Sequence, residues 1–384
     1  MLHIGIDGHN LEGNRAGVGR YLESILAEYA RNSGEMNDVR ITVYTKRHVP
    51  SDEALRHPMF RVRCLKIWPR SSFFLYFLFL LPWAAWRDKV DVMWFPTYMV
   101  PHTWRGPSVI VLHDVMFARY PERFSWRYRM PYTVFSRYGA HHSKRILTAS
   151  EFSKREIVDL YHVPTDKVVV TPLAVDKKFF APQETPATHL KAHYGIEGDY
   201  LLWVGQIFNR RNVHTAMQAF GRIAGEFPRV QMLVAGKDFT EPPLHIDQLA
   251  EEVNKKSGRK AILRTLYIAE KDLVSLMGGA RAGCYLSDYE GFGLPPLEFL
   301  ATGTPVLAPN ATALATTLGG EQVVVDDPAD VGEVALTMRK VLTDSAYQQR
   351  AREGGPRQAS RFSWEQTART TLKVLREAAA STPV

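Results

Sequence analysis

Cysteine is nearly absent: Cys64 and Cys284 are the only two in 384 residues. That excludes a disulfide framework and a cysteine-rich zinc site, and it favours a reducing compartment. Long apolar runs are lacking as well. The most apolar stretch, FFLYFLFLLPWAAW over 73–86, is broken by Pro82 and is too short to span a bilayer as a helix. The opening MLHIGIDGHN lacks the basic leader and long apolar core of a signal peptide, so the expected location is the cytoplasm. Repeats and low-complexity tracts are missing too. So are D-x-D, H-E-x-x-H, G-x-S-x-G and the Walker A sequence. No metal site and no cofactor are therefore expected. Neither sign of charge dominates: 48 Lys and Arg stand against 40 Asp and Glu, a net +8. This mild excess fits nucleotide phosphates, an acidic membrane surface or nucleic acid without choosing among them. The chain shows no basic–aromatic stripe or nucleic-acid recognition motif, which ranks a nucleic-acid binder last.

What remains is a globular composition, 45% hydrophobic and 23% charged. Short apolar runs alternate with helical patterns. LHIGID (2–7), ITVYT (41–45), FRVRCLK (60–66), VDVMWF (90–95), SVIVLHD (108–114), RILTAS (145–150) and KVVVTP (167–172) read as strands. After a Pro/Thr-rich stretch, APQETPATHL, which reads as a linker, the alternation restarts. YLLWVG (200–205), VQMLVAG (230–236), AILRTLYI (261–268), AGCYLS (282–287), TPVLAP (304–309) and QVVVDD (322–327) are the second set. The pattern predicts two α/β domains, each a helix-covered parallel sheet. Their expected bounds are 1–175 and 176–362. The remainder, 363–384, is expected to form a C-terminal helix capped by a Ser363–Gln366 box. In such sheets ligands bind where strands end and helices begin.

The richest strand exit is SDYEGFGLPPLEFLATG, 287–303. Gly291 and Gly293 let the backbone approach a ligand closely. Pro295 and Pro296 open a helix whose free N–H groups and dipole favour an anion such as a phosphate. Glu290 and Glu298 accept hydrogen bonds only, so hydroxyls of a sugar or ribose suit them. The competing reading makes Glu290 a loop surface charge and Glu298 a helix-start acid. A second exit, VGQIFNRRN (204–212), sets Arg210 and Arg211 before a helix, either as a diphosphate clamp or as a solvated turn. A third, GNRAGVGRY (13–21), places Gly17 and Gly19 in a loop. Leu22 takes the position of the third glycine of a dinucleotide fingerprint, and no acid ends the following strand, so a nicotinamide cofactor is not indicated. His113 closes another strand, where it can serve a substrate or the fold.

Taken together, these motifs resemble the retaining glycosyltransferases of family 4, in motif order and over most of the chain. EGFGLPPLE followed by ATGTPV is similar to that family's E-x7-E signature. RRN resembles its phosphate clamp, AGVGRY its N-terminal glycine loop, and HD (113–114) its histidine-bearing strand end. TASEFSKREI and FSWEQTA resemble two of its helices. The resemblance implies a GT-B fold, two facing Rossmann-like doubly wound domains with an inter-domain cleft. The N-terminal domain would lie on the acceptor side, with the last helix packing back on it. It also implies roles: Glu290 on donor-sugar hydroxyls, Glu298 on the ribose, and Arg210 and Arg211 on the diphosphate, joined by N–H groups from Phe292, Gly293 and Leu294. Tyr267 and Ile268 would lie against the base, His113 on the donor sugar, and Gly17 and Gly19 beside the phosphate and acceptor.

Three departures stand out. Arg211 replaces the usual lysine, Gly13-Asn-Arg-Ala16 lacks one glycine, and a Pro-Glu pair is missing near Ala315-Thr316. Bacterial O-antigen and capsule mannosyltransferases using GDP-mannose are the most similar members, while UDP- and dTDP-sugars stay open as donors. The expected acceptor is a glycan or lipid-linked saccharide, transfer is expected to be metal-independent, and both front-face attack and double displacement through Glu290 stay open. An epimerase on the same fold is the runner-up. The 73–86 stretch reads as a core helix, with peripheral contact at the inner face of the membrane through Phe73–Trp86 as the other reading.

Overall fold

The computed structural model describes residues 1–13, 17–66, 73–181 and 185–380. They divide into two compact units, Met1–Leu173 with Ser363–Val384, and Ala174–Phe362. The strands of the first unit are β1 (Leu2–Asp7), β2 (Val39–Thr45), β3 (Phe60–Cys64), β4 (Val92–Phe95), β5 (Ser108–Val111), β6 (Arg145–Thr148) and β7 (Val168–Val170). They pair in parallel in the order β3-β2-β1-β4-β5-β6-β7. Strands buried on both faces must be apolar at nearly every position, which is why they read as continuous apolar runs. The two-residue period then sorts the side chains. Val92, Trp94, Val109 and Val111 join one core, with Leu22, Ile25 and Leu26 of the helix Gly17–Arg31. Met93, Phe95, Ile110 and Leu112 join the core on the other face.

The last helix, Trp364–Ala380, adds Ala368, Val374, Leu375 and Ala378 to the first of these cores. Only half of the expected capping box forms. Ser363 Oγ accepts the Gln366 N–H at 3.4 Å, but the Gln366 side chain reaches forward to Thr370 Oγ1, also 3.4 Å. Thr370 lies one turn on along the same helix face, a ready partner. Gly17 and Gly19 also depart from expectation. They lie in the first turn of a helix, not in the loop before it; residues 14–16 of that motif fall outside the described residues.

The apolar stretch forms a helical run, Phe73–Leu75, a π-turn at Tyr76–Leu80, then Leu81–Arg87. Pro82 cannot donate an N–H into this ladder, and the widened turn comes just before it. One face, Tyr76, Phe77, Leu81, Ala84 and Ala85, is buried in the second core. The other leaves Phe74, Phe79, Trp83 and Trp86 exposed. Core burial thus accounts for half of the segment. Among the described residues no helix is long and apolar enough to cross a membrane, and Cys64 and Cys284 are both free.

The second unit holds β8 (Asp199–Val204), β9 (Val230–Ala235), β10 (Ile262–Thr265), β11 (Ala282–Cys284), β12 (Val306–Ala308) and β13 (Val323–Val324). They are parallel, in the order β10-β9-β8-β11-β12-β13. Leu201 and Trp203 of β8 pack with Val213, Met217 and Phe220 of the helix Val213–Ile223. The APQETPATHL linker is corrected in part. A helix, Ala187–Tyr194, begins after Pro186 and ends at Gly195 in the left-handed conformation. It is anchored by buried Leu190, followed by buried Ile196, which a free linker would not supply. In each sheet the strand order reverses once, between β1 and β4 and between β8 and β11. Those reversals open the crevices where doubly wound sheets take ligands.

Candidate functional site

Both chemistry-bearing exits of the second unit flank its reversal point. β8 runs into Gly205, where φ is +139° and a Cβ would meet Arg211 Nη1 at 3.0 Å, so a glycine belongs there. The turn Asn209–Arg211 follows, and Asn212 starts the next helix from the left-handed region. β11 runs into Tyr285–Glu290. Two hydrogen bonds lace these exits together: Asp288 N–H to the Arg210 carbonyl at 3.0 Å, and Asn212 Nδ2 to the Leu286 carbonyl at 3.0 Å. The arginine pair and the Glu290 loop, separate motifs in the sequence, are one structure.

Glu290 is the centre of that structure. Its Oε1 accepts from Tyr285 Oη at 2.8 Å and from Ser287 Oγ at 2.9 Å. Arg211 Nε lies 3.4 Å from the same oxygen and Arg210 Nη2 4.0 Å. Its backbone is held from the far side, N–H to Thr312 Oγ1 and carbonyl to the Ala313 N–H, both at 3.4 Å. So the loop before Ala315-Thr316, which lacks the expected Pro-Glu pair, grips the Glu290 main chain. Burial pulls this carboxyl upward, but the guanidinium groups of Arg211 and Arg210 and the two hydroxyls outweigh it, and its pKa lies below the ordinary carboxylate value. Burial works on Arg211 in the opposite sense, and Tyr285 and Glu290 outweigh it, leaving a firmer cation. Arg211 Nη1 also donates to the Gln206 carbonyl at 2.8 Å. Arg210 stands over the Phe208 ring at 4.9 Å, and its buried Nε has no hydrogen-bond partner. The arrangement is an anionic carboxylate beside two fixed cations, able to hold hydroxyls next to a charged leaving group.

Beyond Glu290 the chain passes Phe292, which is buried edge-on to Phe362 at 5.2 Å, into the helix Leu294–Ala301. Gly293 caps it with φ +92°, and a Cβ there would lie 2.2 Å from Leu314 Cδ2. Pro295 and Pro296 occupy the first turn, where their missing N–H costs nothing. Glu298, fifth residue of the helix, is buried, so it is neither a surface charge nor a helix-start acid. In the loop after β10, Tyr267 is exposed and Ile268 is buried; Thr265 Oγ1 donates to the Tyr267 carbonyl at 3.0 Å.

His113 and the two glycines belong to the first unit. The His113 ring is packed edge-on by Tyr21 at 4.9 Å and Tyr98 at 5.7 Å, and its buried Nε2 has no hydrogen-bond partner. Burial lowers its pKa to about 4, so the ring is neutral near pH 7 and offers a hydrogen bond rather than a charge. Sequence reasoning missed Tyr285 and Ser287. Their signal was present: hydroxyl residues two apart, on one side of an extended chain that ends in an acid. Among the described residues no group of three or more His, Cys, Asp or Glu is placed to hold a metal ion.

Two doubly wound units in one chain are the architecture of the GT-B glycosyltransferases. The structure of sucrose-phosphate synthase from Thermosynechococcus elongatus superposes with a TM-score of 0.76 at 18% identity, covering all of both chains. Anabaena HepE in complex with UDP and glucose gives 0.73 at 16%, covering 98% of this chain and 99% of that one. Residues 15–179 match the family described as Glycosyltransferase Family 4, and residues 191–358 match Glycosyl transferases group 1. The O-antigen chain mannosyltransferase B of Escherichia coli is 31% identical over 296 residues, 76% of this chain and 75% of that protein. The serotype-specific mannosyltransferase WbdA of the same species is 29% identical over 231 residues, 59% of this chain but 28% of that longer protein. The chain belongs to glycosyltransferase family 4 and is a glycosyltransferase.

Proposed function

We propose that the protein transfers a mannosyl group from a nucleotide sugar, GDP-mannose before UDP- or dTDP-sugars, to a hydroxyl of a glycan or lipid-linked saccharide. The anomeric configuration is retained and no metal takes part. The mannosyl assignment is supported by the names of the relatives, two of them O-antigen or serotype mannosyltransferases. The observation that carries the chemistry is the Glu290–Arg211–Arg210 cluster at the β8/β11 reversal.

The bond from the anomeric carbon to the diphosphate breaks, and the bond to the acceptor oxygen forms on the same face. The acceptor's proton passes to a donor phosphate oxygen. Arg210, Arg211 and the N–H groups of Phe292, Gly293 and Leu294 meet the charge developing on the diphosphate. Glu290, kept anionic, takes donor-sugar hydroxyls, and Glu298 takes the ribose. Two hydroxyls donate to Glu290 Oε1 and two guanidinium groups lie within 4.0 Å of it; so stabilised as an anion, the carboxylate is the weaker nucleophile, which favours front-face attack over double displacement. His113 contacts the donor sugar as a neutral ring, Tyr267 and Ile268 flank the base, and Gly17 and Gly19 border the phosphate and the acceptor. The exposed aromatic face of the Phe73–Arg87 run rests on the inner face of the membrane.

Thermal shifts with GDP-, UDP- and dTDP-sugars, with and without EDTA, test the donor and the metal, since a ligand of the native state raises the melting point. A shift abolished by EDTA contradicts the metal-free reading. Inverted product stereochemistry by NMR contradicts retention.

A further inference from the structure

At the end of β1, on the first unit's own reversal point, stands an acid–imidazole pair that no motif accounts for. Asp7 is the last residue of β1, and its carboxylate is fully buried. His9 Nδ1 lies 2.8 Å from Asp7 Oδ1, with the His9 side chain 18% exposed. The same oxygen accepts from Tyr76 Oη at 2.9 Å and from the His9 backbone N–H at 3.4 Å. Asp7 Oδ2 is buried without a hydrogen-bond partner. A carboxylate can only accept, so it fixes the imidazole proton on Nδ1 and leaves Nε2 as an acceptor. Asn10 Nδ2 sits 3.0 Å from Nε2 and satisfies it locally. Phe73, edge-on at 5.1 Å, walls the ring.

The surroundings point the same way. Thr45 Oγ1 ends β2, Thr97 Oγ1 and His113 Nε2 follow β4 and β5, and Thr148 Oγ1 ends β6. Each is buried and lacks a partner. With Asp7 they mark the carboxyl ends of five neighbouring strands. Buried polar groups are normally satisfied, and such a row marks the polar, water-binding end of this sheet, at whose surface His9 is the partly exposed member.

We propose that His9 binds a hydroxyl of the acceptor saccharide. The hydroxyl donates to Nε2 in place of the Asn10 amide, and Asp7 is the positioning residue that sets the tautomer. This rests on the glycosyl-transfer reading above.

The test is steady-state kinetics of the full chain with GDP-mannose as donor and octyl α-D-mannopyranoside as acceptor. His9→Ala should raise the acceptor KM at least about tenfold, the scale of one lost hydrogen bond, and leave the donor KM within about twofold. His9→Gln, whose amide carbonyl also accepts, should recover most of that loss. Asp7→Asn, which frees the other tautomer, should fall between them. Should Asp7→Asn fail to fold, the His9 pair decides alone, because that ring is partly exposed. An acceptor KM unchanged in His9→Ala, or a donor KM raised as far, overturns the assignment. A wild-type protein inert toward this pair of substrates refutes the donor and acceptor proposed above. The dyad is then judged by the Kd of octyl α-D-mannopyranoside, and an equal Kd in wild type and His9→Ala overturns it.

Discussion

Arg211 Nε lies 3.4 Å from Glu290 Oε1, with only 14% and 12% of the two side chains exposed. Each holds the other in its charged form against burial, one pKa kept down and the other up. The pair is therefore ready-charged before any ligand arrives.

Glu290→Ala and Arg210→Ala are each expected to lower kcat/KM by at least about 10²-fold, the scale of losing one charge-stabilising group. Near-normal rates in variants that melt like the wild type would remove these residues from the mechanism.

Glu290 also carries a stability signature. Its folded pKa is depressed, so its contribution is fully present above the ordinary carboxylate pKa and is lost as pH falls through the folded value. The gap between wild type and Glu290→Gln in urea denaturation should be large at pH 7 and shrink on acidification. Arg211→Met, which leaves the buried carboxylate only the more distant Arg210 as counter-charge, should cost about 3 kcal/mol at pH 7. A gap independent of pH counts against the ion pair.

His113 also loses stability on acidification, but because burial holds its folded form neutral rather than charged. Its pKa, about 4 in the folded state, lies below the ordinary histidine value because of burial. Its stabilising contribution is intact above pH ~6.5 and is lost as pH drops toward ~4. In His113→Gln the slope of stability against pH across that window should flatten. An NMR titration of the ring with a midpoint above ~6 would contradict the burial argument.

Gly293→Ala meets two obstacles, φ of +92° and a Cβ 2.2 Å from Leu314 Cδ2. It should lower stability by about 1–3 kcal/mol and weaken nucleotide-sugar binding by disturbing the start of the Leu294–Ala301 helix. Leu314 is fully buried, so Leu314→Ala carries a cavity cost of about 2–5 kcal/mol of its own, and relief of the clash should show as a double variant less destabilised than the sum of the two single ones. Strict additivity in calorimetry would show that the clash costs nothing.

The exposed face of the Phe73–Arg87 run carries Trp83 and Trp86, with Arg87 over the Trp83 ring at 5.3 Å. Aromatic and cationic groups together suit a lipid–water interface. Trp83→Asp/Trp86→Asp should reduce partition into anionic liposomes while leaving the melting temperature close to that of the wild type. Equal partition of both proteins removes the membrane assignment.

Much of this was legible in the residues. The strands declared themselves because burial on both faces leaves little room for polar positions, so that VQMLVA admits one, Gln231, and SVIV one, Ser108. The Glu290 loop and the arginine turn were each visible through glycines, prolines and charge at a strand exit. Their union was not, because it depends on β8 and β11 being neighbours, a long-range pairing that local pattern does not encode. The hydroxyls of Tyr285 and Ser287 were hidden inside what read as an ordinary strand. Gly17 and Gly19 misled because glycine signals a turn more often than a helix start. The Ala187–Tyr194 helix was masked by the prolines and threonines ahead of it, whose irregularity obscured the single anchoring leucine. His9 carried no sequence signal beyond its closeness to Asp7.

The two hydrogen bonds that lace Asn212 to Leu286 and Asp288 to Arg210 bear on how this enzyme can be re-engineered. Three of the four groups are main-chain and survive any substitution; the fourth is the Asn212 amide. A chimera that imports either exit from a relative with a different donor preference should keep the seam as long as position 212 stays asparagine.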